Sequence, residues 1–257
     1  MRLPVRGFGL VELMVAMLLG LTLVLALVQF LSSSRDSWAL QQQSASQQED
    51  ARYLLGRLAR DLRAAGSYGC LDLQRALPAG LPPELAQPVR FDRGVLSLIT
   101  AVPSRFSSNQ PQALRASDFG ARWLLAGDCQ RRVALGEREA LTVLPGDWVV
   151  PLRQLEYREQ SGRVQVRLNG TGNYETLIEQ VARFTLSFGL AADAQAAGVT
   201  GRYQRALADA DQTRLRSVRV HLVLAADMGR AAASRTRDLA FRQVTRLRNR
   251  PDGYRHD

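Results

Sequence analysis

Between Arg6 and Arg35 the chain runs for 28 residues with one charged side chain, Glu12. A lone carboxylate in an apolar helix has one main kind of chemistry open to it. It can pair with a cation that shares its low-dielectric surroundings. At the centre of a bilayer such a group costs on the order of 2.5–3.5 kcal/mol on insertion scales. Glu12 stands near the start of the apolar run, so a harmless place among the headgroups is one reading. The other is a partner charge on a neighbouring chain. A free α-amino group would serve, if the chain were cut just before Phe8.

No other group of residues has the types and spacing of a reactive site. The two histidines are His221, which alternates outward with Arg219 in a strand pattern, and His256 at the very end. Neither has a cysteine or aspartate at metal-ligand spacing. Gly170 and Gly172 in "NGTGN" follow a strand and open no helix, so a turn is expected there rather than a phosphate cradle. No serine stands in a nucleophile elbow, and the sequence has no lysine for a P-loop or a Schiff base. Glu156 and Glu159 read as paired with Arg158 in a strand, as solvated charge. No enzyme activity, metal or cofactor is expected.

The elements that would position Glu12 are legible. Phe8–Leu31 is apolar enough, and at about 1.5 Å per residue long enough, to cross a hydrocarbon core of about 30 Å. Arg2 and Arg6 precede it, which favours a cytoplasmic N-terminus. The run is too long for the core of a cleavable secretory signal, and no Ala-x-Ala site closes it. Beyond Leu31 the sequence turns polar with no proline and no glycine before Gly56. Ala51, Leu54, Leu55, Leu58, Leu62 and Ala65 then recur at helical spacing, with Arg57 and Asp61 on the opposite side. One helix over Phe8–Ala65 would be about 87 Å long. Gly20, within the span, reads as a tolerated membrane glycine or as a site of close packing.

From residue 70 onward, alternation replaces helical periodicity. Val164, Val166 and Leu168 share a face; so do Phe184, Leu186 and Phe188; so do Val218, Val220, Leu222 and Leu224. These are antiparallel strands by pattern, with a hairpin turning near Ser161–Gly162. "GVLSLITAV", "RWLLAGD" and "LAFRQVTRLRNR" are further strand candidates.

The formal charge is +10, and all 34 basic residues are Arg. The densest part, Arg202–Asp257, holds 13 Arg against 6 Asp, interspersed with apolar residues. This reads first as a solvated basic face, with an anion-binding surface as the alternative.

The run "RGFGLVELMVAMLLG" resembles the N-terminus of type IV prepilins and type II secretion pseudopilins. The resemblance implies cleavage by the prepilin peptidase between Gly7 and Phe8, N-methylation of Phe8, and pairing of Glu12 with the N-terminal amine of an adjacent subunit. "LARDLRAAGSYGC", "LLAGDC", "LIEQVARFTLSFGL", "VRVHLVLA" and "LRNR", in this order, are similar to the PilW-type minor pilins. What this implies is an α+β, type IV pilin-like fold. Residues 1–7 would be the leader and 8–65 the helix, transmembrane over 8–31. A β-rich head over 66–257 would be periplasmic and later extracellular.

In an oxidising compartment Cys70 and Cys129 would form a disulfide closing a loop of about 60 residues, worth about 4 kcal/mol by chain entropy; two buried free thiols are the alternative. The acidic calcium loop that PilW-like proteins often carry is replaced by "AADAQAAGVTGRY", so metal is not expected. The expected partners are other minor pilins, the major pilin, the prepilin peptidase, the inner membrane before assembly and a tip adhesin. Nucleic acid is not among them. The implied function is that of a minor pilin that helps to prime pilus assembly at the tip. The alternatives are a minor pseudopilin of type II secretion and a DNA-binding tip component for natural transformation.

Overall fold

A computed structural model describes residues 9–69, 73–77, 80–104, 106, 109–128, 130, 132–196, 198–225 and 238–249. The chain divides into two compact units, Met1–Glu49 and Asp50–Asp257. Helix α1, Leu10–Ala64, contributes to both.

In the first unit α1 is apolar and bare. Leu10, Val11, Leu13, Met14 and every large apolar side chain on to Leu31 is exposed. Among the described residues this is the one helix long and apolar enough to cross a membrane. A surface of that kind needs lipid or other helices to cover it.

In the second unit the same helix becomes amphipathic, as the spacing predicts. Ala51, Leu54, Leu58 and Leu62 are fully buried, and Ala65 nearly so. The helix ends where Gly66 takes a positive φ and Ala65 bridges to Thr100. The strands are β1 (Val89–Asp92), β2 (Val95–Ala101), β3 (Gln112–Leu114), β4 (Trp123–Gly127), β5 (Val133–Gly136) and β6 (Leu141–Val143). They continue as β7 (Trp148–Gln160), β8 (Arg163–Leu168), β9 (Glu175–Ile178), β10 (Val181–Leu190), β11 (Tyr203–Gln204), β12 (Leu215–Leu224) and β13 (Leu239–Arg246). All pairings are antiparallel.

The larger sheet is built around β7. One of its edges takes β2, and the other is shared by β4 near its start and β8 near its end. The β7–β8 hairpin turns at Ser161 and Gly162, with φ of 53° and 73°. Positive φ at both central residues matches the twist of the flanking strands. The second sheet has the order β11-β10-β12-β13, and β3 with β6 makes a small third.

The helix packs against both main sheets. Leu55, Leu58 and Leu62 share one core with Leu96, Leu98, Leu155 and Tyr157 of the larger sheet and Leu186, Phe188, Val218 and Val220 of the smaller. Burying a leucine side chain contributes about 1.5–3 kcal/mol. The helix row therefore holds two sheets that share no strand.

Candidate functional site

Glu12 lies in the first turn of α1. The turn is closed by the amides of Glu12 and Leu13 on the Gly9 carbonyl, at 3.0 and 3.2 Å. The side chain is exposed among exposed leucines and valines, and among the described residues no cation pairs with it. On a helix Glu12, Ala16 and Gly20 fall at spacings of four and share one stripe. A Cβ at Gly20 would meet nothing within 4 Å. Nothing described in this chain thus requires a glycine there. Small residues in a stripe let a second helix approach closely. Gly7 and Phe8, the expected processing site, lie outside the described residues. So do Cys70, Cys129 and His256.

Residues of the neighbouring turns and loops have structural roles. Asn169, Gly170 and Gly172 have positive φ in the turn that follows β8. Asp193 caps its own loop, its carboxylate accepting from the amides of Gln195 and Ala196 at 2.9 and 2.6 Å. Asp211 accepts from Gln204 at 2.8 Å and sits beside Arg214. Among the described residues no three His, Cys, Asp or Glu side chains gather where a metal could be held.

Two expectations need correction. Glu156 is not solvated: it is 8% exposed and ion-paired with Arg167 rather than Arg158. Its carboxylate accepts from Arg167 Nε at 2.6 Å, Gln154 Nε2 at 3.0 Å and the Tyr174 hydroxyl at 3.3 Å. Arg158 and Arg167 lie over the Tyr174 ring, at 3.5 and 4.6 Å. Arg122 extends the network to Gln154 and Glu137. Asp61, expected on the solvent side of the helix, instead accepts from the Tyr157 hydroxyl. The contact surface of the helix is wider than its apolar stripe, so its margins carry polar partners.

Sequence reasoning also passed over Arg216, which is 2% exposed. Its guanidinium donates to the carbonyls of Asp193, Ala194, Ala196, Thr213 and Leu215, at 2.6–3.2 Å. A cation thus sits within the loop where an acidic calcium loop had been considered, and it belongs to the protein. The signal was present: Arg216 has the same parity as the inward Val218, Val220, Leu222 and Leu224.

Residues 2–28 match the model of the prokaryotic N-terminal methylation motif. No curated protein and no solved structure matches the chain. The long apolar N-terminal helix and the antiparallel head fit a pilin-like α+β fold. Together with the motif they support a type IV pilin- or pseudopilin-like protein.

Proposed function

We propose that this protein is a minor pilin of the PilW type, a structural subunit that helps to initiate type IV pilus assembly at the tip. The observation that carries the reading is Glu12, the lone carboxylate on an exposed apolar helix within a methylation motif. The peptidase would cut between Gly7 and Phe8, and Phe8 would be N-methylated. Its amine on one subunit would then neutralise Glu12 of the next. Helices in lipid gain little from hydrophobicity, so packing along the Glu12–Gly20 stripe and this polar pair would set the register. Before assembly the subunit would span the inner membrane over residues 8–31, N-terminus cytoplasmic and head periplasmic. A Cys70–Cys129 disulfide would form there. The head would supply lateral contacts to other minor pilins, the major pilin and a tip adhesin.

The test is Glu12→Ala. The variant accumulates with a folded head but is depleted from sheared pili; incorporation at the wild-type level would sink the pairing. A minor pseudopilin of type II secretion is the second reading, since the same motif serves both systems. Deleting the gene separates them: loss of piliation supports the first, loss of secretion with normal pili the second.

A further inference from the structure

Part of the positive charge of the head lies on one face of the smaller sheet. Strands β10, β11, β12 and β13 contain five arginines and no aspartate or glutamate. Arg216 is spent inside the carbonyl cage. Arg183, Arg219 and Arg242 point the other way, to the open face; Arg246 has the same outward parity but an interaction of its own. The register fixes this: Val220 and Leu222 are buried, so Arg219, His221 and Val223 face outward, opposite Val244, Arg242 and Ala240 on β13. On β10, Arg183 pairs with Val223 and Thr185 with His221. Counting along the sheet, Arg219, Arg242 and Arg183 fall in successive outward rows, each two residues or about 6.7 Å further on.

Among the described residues no carboxylate forms an ion pair with any of these three. The nearby Asp211 and Glu179 are engaged elsewhere, with Arg214 and Arg163. Arg219 lies 3.6 Å over the Tyr203 ring, whose hydroxyl is 2.9 Å from the Ser217 hydroxyl. Gly189 makes room for that ring, because a Cβ there would meet it at 2.9 Å. An aromatic is therefore held flat against the sheet under a guanidinium. His221 lies between Arg183 and Arg242. Burial first, and then the charges of Arg242 and Arg183, hold its pKa below the ordinary histidine value.

We infer that the open face of the β11-β10-β12-β13 sheet binds single-stranded nucleic acid through its phosphate backbone. Guanidinium planes, one of them stacked on the Tyr203 ring, and the His221 ring suit a strand whose bases can lie on the surface. An acidic protein partner fits less well. A protein interface needs an apolar centre, and the face offers one large exposed hydrophobic, Val244. The inference is independent of the pilin reading, because it rests on the head alone.

The test is fluorescence anisotropy of full-length protein in nonionic detergent with an oligothymidylate about 20 nucleotides long. The three arginines account for about 2 units of the slope of log affinity against log salt. Arg183→Gln/Arg219→Gln/Arg242→Gln should remove that slope and weaken binding at least ten-fold. Arg93→Gln/Arg115→Gln/Arg138→Gln, with the same change in charge elsewhere on the head, should leave both unchanged. Binding of the oligonucleotide should also raise the pKa of His221 in the proton NMR spectrum. Absence of binding, or equal losses in the two triple variants, would overturn the inference. Tighter binding of a duplex of equal length, or equal competition by polyglutamate, would overturn it as well.

Discussion

The Tyr157 hydroxyl, on the central strand of the larger sheet, donates to the Asp61 carboxylate near the end of the helix. This bond ties β7 to α1 across 96 residues of sequence. Burial, followed by the Asp61 charge and the bond itself, pushes the Tyr157 pKa up. The phenol therefore stays protonated and remains a donor.

Tyr157→Phe removes the bond but keeps the ring. Hydrogen bonds to charged groups contribute about 1.5–3 kcal/mol, so the variant should lose about that much. Urea denaturation of the two proteins measures it; an unchanged midpoint would contradict the assignment.

Arg216→Met leaves five carbonyls without their donor in a closed loop. With buried unsatisfied acceptors costing about 1–3 kcal/mol each before relaxation, a total loss of at least about 3 kcal/mol is expected. Arg216→Lys should fall between, since an ammonium has three donors and no planar fork. A lysine variant as stable as the native protein would show that the fork is not needed.

His221 is held below its ordinary pKa. As pH falls through 6.5 the unfolded chain takes up this proton first, so stability declines from there until the folded histidine is also protonated. The inflection of the ring proton signals should lie below 6.5, move up with added salt, and move up in Arg242→Gln. An inflection insensitive to both would remove the arginine contribution.

What sequence alone could reach depended on how local each signal was. The methylation motif is a local run of residue types, so it was legible without the fold. The inward sets Leu54–Leu58–Leu62 and Val218–Val220–Leu222–Leu224 followed from periodicity, because one face of each element meets a core. Leu168 kept the right parity but is the last residue of its strand, where cover runs out; it is 44% exposed. Glu156 was misjudged because its burial comes from Arg167, Gln154 and Tyr174, which only strand pairing brings together. The basic face was visible in composition, yet its outline was not. It depends on the register of β10 and β13 against β12, which decides the arginines that fall in neighbouring rows.

The central claim is that Glu12 meets a processed N-terminus, and the intact mass and N-terminal sequence of the protein from native membranes test it most directly. A chain that begins at N-methylated Phe8 is the predicted result. A chain that still begins at Met1, in cells with active prepilin peptidase, would contradict it and leave residues 8–31 as an ordinary anchor.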